Sequence, residues 1–194
     1  MSGLGDQDFS RASEQDRLTE VCFDDTGNHI AVGDKGGRVI VFKYKELKNS
    51  NYFEYRYLTE FQSHEPKFDH LSSQEVCESI KRLNFVPNRG YGNLNLLSAN
   101  DKLIKLWRLS NCPERQFSNA SLDTRGQIVM PKSKVTGYGY KAQQRRQFKD
   151  CHSHPINSLS VSSDGETFIS ADEFTINLWN FENNLTAYNI VSLP

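Results

Sequence analysis

"SANDKLIKLW" occupies residues 98–107, and "SADEFTINLW" occupies residues 170–179. Five of the ten positions are identical, and the only two tryptophans of the chain, Trp107 and Trp179, close the two copies. A weaker echo, "GDKGGRVIVF" at 33–42, carries Phe42 where the others carry tryptophan. The text upstream of each copy is also alike. Ile156, Leu159 and Val161 precede a Ser-Asp-Gly turn, Ile80, Leu83 and Phe85 precede Pro-Asn-Arg-Gly, and Val21 and Phe23 precede Asp-Thr-Gly-Asn. Each unit therefore reads as short strand, polar turn, short strand, tight Asp-containing turn, and a strand ending in a bulky aromatic. Ile104-Lys105-Leu106 and Ile176-Asn177-Leu178 alternate with the period of two that strands require. Helical spacing has support only around 74–82, "QEVCESIKR".

Composition sets the remaining bounds. A chain of 194 residues fits one substantial domain or two small ones. With 23 basic and 24 acidic residues, net charge supports neither nucleic acid nor a membrane surface as a partner. No apolar run approaches the roughly 18 residues of a membrane span, and "MSGLGDQDFSRASEQDR" lacks the apolar core of a secretory signal. Cys22, Cys77, Cys112 and Cys151 follow no metal or disulfide spacing, which predicts reduced thiols in a cytoplasmic protein, with the nucleus as the other compartment.

Three strand-rich units with Leu-Trp endings resemble WD repeats, the blades of a β-propeller. The expected fold is thus all-β, with about three blades of a larger ring. Outer fourth strands are expected in "NYFEYRYLTEFQSH" (51–64), "RRQFKDCHSH" (145–154) and "LTAYNIVSLP" (185–194). In such blades a His, a Ser or Thr, a turn Asp and the Trp join by hydrogen bonds. The candidates are His152 or His154 with Ser170, Asp172 and Trp179, and Asp101 with Trp107 in the preceding unit. Closed propellers hold four to eight blades. Three blades would leave apolar faces open at both ends, so the reading expects the opening part of a longer protein.

WD units normally repeat every 40 to 45 residues or so. The spacings here are 65 and 72, which leaves room for long insertions. Those insertions carry specific text. "FQSHEPKFDHLSSQEVCESIKRLNFVP" (61–87) and "RRQFKDCHSHPINSLSVSSDGETFISADEFTINLWNFE" (145–182), with "VGDKGGRVIVF" (32–42) and "LLSANDKLIKLW" (96–107), closely resemble the WD-repeat B regulatory subunits of protein phosphatase 2A. The resemblance runs from about residue 17 to the end. Departures include Lys67 where the family carries an acid, His70 where it carries Tyr, and "HSHPIN" at 152–157, of which only the ends agree.

The resemblance implies a tail at 1–15 and a partial propeller over 16–194, with blades near 16–64, 78–154 and 154–194 and a hairpin-like arm inserted at 110–148. It implies a regulatory subunit with no catalysis and no cofactor or metal, docked on a HEAT-repeat scaffold beside the catalytic subunit. Its substrates would be phosphoproteins bearing basic motifs, and no nucleic acid or membrane would take part. The arm suits docking physically. From Arg125 to Lys149 it has seven basic residues and no acid, including Arg145 and Arg146, an apolar tip of Ile128, Val129 and Met130, and Tyr138 and Tyr140. Phe61, Phe68 and Leu71 fall in the family's second scaffold-contact region, though aromatics of that kind also build local core. Lys35, Asp172 and Glu173 match the substrate groove, with Asp172 equally readable as the structural turn residue.

Other chemistry fails on its own requirements. "GNH" (27–29) and "GDK" (33–35) echo metallophosphoesterase blocks, but the order is reversed and no Asp-x-His occurs. No phosphate loop, dinucleotide fingerprint or nucleophile elbow is present. Cys151, His152 and His154 lack a fourth metal ligand. The aromatics of 125–149 lack RNA-binding spacing. The alternative left standing is a WD-repeat scaffold of an unrelated complex.

Overall fold

The structure is a computed structural model that describes residues 13–47, 52–69, 74–76, 78–87, 93–117, 121–122, 128–129, 133–150, 152–182 and 186–194. Three four-stranded antiparallel sheets follow one another along the chain. The first contains β1 (Leu18–Phe23), β2 (His29–Asp34), β3 (Arg38–Glu46) and β4 (Phe53–Gln62), paired in sequence order. Next come β5 (Lys67–Asp69) and β6 (Gln74–Val76), which pair only with each other, so part of the 74–82 segment with helical spacing is extended. The second sheet uses β7 (Arg82–Val86), β8 (Asn93–Ala99) and β9 (Ile104–Phe117). A small β10 (Ser121–Leu122) and β11 (Ile128–Val129) pair follows, and β12 (Ser133–Phe148) then returns along β9 as the outer strand. The third sheet is β13 (Ser158–Val161), β14 (Thr167–Ala171), β15 (Thr175–Asn180) and β16 (Tyr188–Ser192). Among the described residues no helix is long and apolar enough to cross a membrane.

The cores lie between sheets rather than within them. Ala31, Val39 and Val41 of the first sheet meet Ile80, Leu83, Phe85, Leu96 and Leu109 in one cluster. Val86, Leu97, Ala99, Ile104 and Phe148 meet Ile156, Leu159, Phe168, Trp179 and Phe181 in the other. The second sheet is buried on both faces, and this explains the "NLNLLSA" run. Successive side chains of a strand point to opposite faces, so Leu96 enters one cluster and Leu97 the other. Each such side chain contributes roughly 1.5–3 kcal/mol by leaving water. The faces turned away from the second sheet are more open, with Val21 at 62% and Phe23 at 59% exposure on β1.

Close approach between sheets depends on small residues. A Cβ on Gly33 would lie 2.5 Å from the Ile80 side chain, so only glycine admits that plug. Gly37 has φ +83°, and its carbonyl accepts from the amides of Ser63 (2.9 Å) and His64 (3.0 Å). At the inner edge Arg82 of β7 reaches both neighbours. Its Nη1 lies 3.6 Å from Glu20 of β1, and its Nε donates to the Asn157 carbonyl at 2.6 Å.

All three outer strands carry a bulge. The pairing skips Leu58 in β4, Arg145 in β12 and Ile190 in β16. The strands β9 and β12 stay paired from Ile104↔Phe148 out to Phe117↔Ser133, so blade and arm form one continuous ribbon. Phe148 is 1% exposed within the core, so the inserted arm is shorter than the expected 110–148 and its last residues are blade.

Candidate functional site

The tight turns between second and third strands gather at one end of the sheets with the loops that enter each sheet. Ile80 N donates to Asp34 O at 3.0 Å, Ile156 N to Asp101 O at 2.9 Å, and Asn157 N to Ala171 O at 2.9 Å. In the third sheet a continuous chain of hydrogen bonds runs through this face. Trp179 Nε1 donates to Ser170 Oγ (2.8 Å), Ser170 Oγ pairs with His152 Nε2 (2.6 Å), and His152 Nδ1 pairs with Asp172 Oδ2 (2.8 Å). The other carboxylate oxygen accepts from the amides of Phe174 (2.8 Å) and Thr175 (2.7 Å). Burial opposes ionisation of Asp172, but the donors from His152, Phe174 and Thr175 outweigh it and hold the carboxyl well below the usual carboxylate range. Its side chain is wholly buried and occupied by the turn. His154, the other histidine candidate, is exposed and packs edge-on against Phe174 at 4.8 Å.

The second sheet is wired differently. Trp107 Nε1 is shared between Ser63 Oγ (3.0 Å) and Ser98 Oγ (3.2 Å), which are 2.6 Å apart. Ser63 thus stands where His152 stands in the third sheet. His64 is displaced, with Nε2 on the Leu103 carbonyl at 3.2 Å and Nδ1 buried without a partner among the described residues. Burial, then the charges of Lys105 and Lys67, push its pKa down to about 4 against the pull of the Leu103 carbonyl. Asn100 holds the turn, its Oδ1 accepting from Lys102 N (3.1 Å) and Leu103 N (2.7 Å), while its amide donates to Glu78. Asp101, the residue expected in that role, has its side chain half exposed, 3.5 Å from Lys81 Nζ. In the first sheet Asp34 does the same work, accepting from Arg38 N at 2.8 Å and Arg38 Nε at 2.7 Å.

The three groove candidates lie in the turns of two different sheets. Lys35 lies in the first sheet's turn and pairs with Glu14 at 2.5 Å, and that bond with the lysine charge lowers the Glu14 carboxyl. Glu173 is exposed in the third sheet's turn, and Asp172 is sealed beneath it.

Of the docking candidates, Phe61 is half-buried with its ring 4.6 Å from Trp107, against the first core cluster. Phe68, Ile128 and Val129 lie in short paired strands, and Leu71 and Met130 fall outside the described residues. Arg145 and Arg146 sit at the root of the arm, not at its tip. Among the described residues, the exposed large apolar side chains along the arm are Phe117 (66%), Val135 (46%) and Tyr138 (75%). Phe117 and Val135 escaped the sequence reading because neither stands in an apolar run. The ten-letter match sets Asn100 opposite Asp172 and so carried the signal for its role, but Asp101 drew the reading as the acid, and no letter distinguishes Ser63 from His64 as the partner of Trp107.

Three antiparallel sheets of four strands in series, sharing their cores and each holding a polar turn beside its entering loop, define consecutive WD-repeat blades of a β-propeller. Residues 143–180 match the WD domain, G-beta repeat family. The chain is 39% identical over 203 residues to the B-type regulatory subunit of protein phosphatase PP2A from Schizosaccharomyces pombe, covering 98% of the chain and 43% of that relative. It is 39% identical over 199 residues to the B beta isoform of the 55 kDa regulatory subunit of serine/threonine-protein phosphatase 2A from Sus scrofa, covering 96% of the chain and 45% of that relative. The chain belongs to this WD-repeat B family of phosphatase 2A regulatory subunits, and spans less than half the length of the curated relatives it matches. Among solved structures, Chaetomium thermophilum Raptor matches 89% of this chain and 12% of its own, with a TM-score of 0.48 and 16% identity.

Proposed function

We propose that this chain serves as a regulatory, non-catalytic part of a phosphatase 2A assembly, docking on a HEAT-repeat scaffold and directing the catalytic subunit to phosphoserine and phosphothreonine substrates. The observation that carries the reading is the match to named regulatory subunits over nearly the whole chain, the arm included. The arm supports docking, because Phe117, Val135 and Tyr138 offer apolar and aromatic surface on a ribbon braced by the second sheet. On the turn face the open carboxylate of Glu173 is the residue proposed to meet basic substrate motifs. A cytoplasmic location, with the nucleus as the other compartment, belongs to the same proposal.

The test is reconstitution with purified scaffold and catalytic subunits. The tagged chain should retain both, should hydrolyse no phosphoester alone, and should change which phosphoproteins the catalytic subunit attacks. Replacing residues 112–139 with an Asn-Gly turn after Asn111 keeps the paired root and should abolish scaffold retention. Glu173→Lys should weaken basic-motif substrates and leave assembly intact. Retention of unrelated partners instead of the phosphatase subunits would make the chain a WD-repeat scaffold of another complex.

A further inference from the structure

The bulges of the outer strands place different side chains at one position. A bulge brings neighbouring residues, normally on opposite faces, to the same side. In β4 the bulged Leu58 packs into the core shared by the first two sheets, together with Tyr140 and Ala142. In β12 the bulged residue is Arg145, and both Arg145 and Arg146 line a cleft of about 540 Å³ between the second and third sheets. Where one seam is plugged by leucine, the next is left open and lined with arginine.

Arg108 of β9 lines the same cleft, and its Nε is buried with no hydrogen-bond partner among the described residues. Arg146 Nη1 donates to the backbone carbonyl of Glu182 at 3.0 Å. Val86, Leu106 and Phe181 give the cleft apolar wall. Asp164, Glu166 and Glu182 also line it, but all three are exposed to solvent. The cleft is therefore cationic at its floor, where Arg108 and Arg146 are partly shielded from water, while at its exposed rim Arg145 faces the three acids and water screens the charge.

A buried guanidinium N–H without an acceptor has given up its hydrogen bond to water with nothing in return, so an acceptor brought to it restores what burial removed. A carboxylate supplies two acceptors in the geometry a guanidinium presents. A phosphate dianion would offer the same oxygens with a second charge, and repulsion from the three acidic residues grows in proportion to that charge. We propose that the cleft between the second and third sheets binds the acidic side chain of an extended peptide segment, the carboxylate seated on Arg108 and Arg145 and a flanking apolar residue on Val86, Leu106 and Phe181. This site lies at the root of the arm and stands whether or not the arm grips a scaffold.

The probe is a fluorescein-labelled, C-amidated Gly-Ser-Leu-Glu-Leu-Ser-Gly peptide titrated against the whole chain by fluorescence polarisation. Saturable binding is expected, weakened about tenfold or more by Arg108→Gln and by the exposed Arg145→Glu, as loss of a charge-assisted pair requires. Replacing the peptide's Glu by Gln should cost a similar factor, and Tyr138→Ala in the arm should change nothing. Tryptophan fluorescence from buried Trp107 and Trp179 reports that each variant is folded. Absence of saturable binding, equal binding of the Gln peptide, or indifference to Arg145→Glu overturns the site. Tighter binding of a phosphoserine version overturns the carboxylate assignment. Loss of scaffold retention with peptide binding intact would separate this site from the docking function of the arm.

Discussion

The second and third blades solve the same local problem with different atoms. Both must anchor a tryptophan indole N–H and hold a four-residue turn. The third does so with a buried Trp179–Ser170–His152–Asp172 chain in which both imidazole nitrogens are engaged. The second splits the task. Two serines hold Trp107, Asn100 holds the turn, and His64 is left with one buried nitrogen unpaired. A polar network that satisfies every member adds rigidity, and one that leaves a member unpaired is a weak point. The third blade should therefore be the sturdier and lose more when one of its members is removed, and the second the one that acid loosens first.

The largest effect should come from Trp179→Ala. Its ring stacks on Phe168 at 5.8 Å and meets Phe148 at 5.3 Å, and truncation should cost about 3–5 kcal/mol in urea unfolding. Trp107→Ala should cost less, since Trp107 is nearer the surface and its ring partner is Phe61 alone among the described residues. An equal or larger loss at Trp107 would break the comparison.

Acid sharpens it next. His64 takes up a proton near pH 4 in the folded chain and near 6.5 in the unfolded one, so the unfolded state binds more protons in between. The stability due to neutral His64 is present in full above pH 6.5 and is lost as pH falls toward 4, by up to about 3 kcal/mol. His64→Gln should flatten the stability profile across that window. Asp172 has the opposite origin. Its carboxyl is held low, so its contribution persists through that window and fades only in stronger acid. Amide hydrogen exchange between pH 6.5 and 4 should accordingly rise first in β7–β9 and later in β13–β15.

Asp172→Asn should cost about 1.5–3 kcal/mol, the value of hydrogen bonds to a charged group, measured by thermal unfolding at neutral pH. The reciprocal change, Asn100→Asp, gives the second blade the third blade's residue but sets a carboxylate against Glu78. Like charges at contact, with residue 100 buried and Glu78 mostly so, should make it destabilising by at least about 1 kcal/mol, not stabilising. Smallest of all, Tyr138→Ala should stay within about 0.5 kcal/mol of the parent, because the side chain is 75% exposed.

Much of this architecture was legible in the letters. Repeated aromatic endings, period-two alternation and turn residues located the first three strands of each blade, because those signals are local, whereas the second blade's outer strand, expected in 145–154, runs from Ser133 to Phe148 because it pairs along the whole of β9. The family text in the insertions was legible for the same reason. Partner choice was not. Nothing in "QSHE" tells that Ser63, and not His64, reaches Trp107, since that depends on how Gly37 receives both amides. Asp101 attracts attention as an acid, yet the turn is closed by the amide one residue earlier. The bulge that turns Arg145 beside Arg146 arises from pairing across strands, and a sequence read along one strand carries no trace of it.

The position of the two hydrophobic clusters has a consequence for how this molecule tolerates change. Since each cluster draws on two neighbouring sheets, no sheet owns enough apolar interior to stand alone. Grafting the second blade in from a relative would break two seams at once, whereas moving a seam whole, with both of its walls, would preserve its contacts. Evolution and engineers alike should find the exchangeable piece here to be the joint, and the distal ribbon of the arm, which lies outside both clusters, the place where length can vary freely.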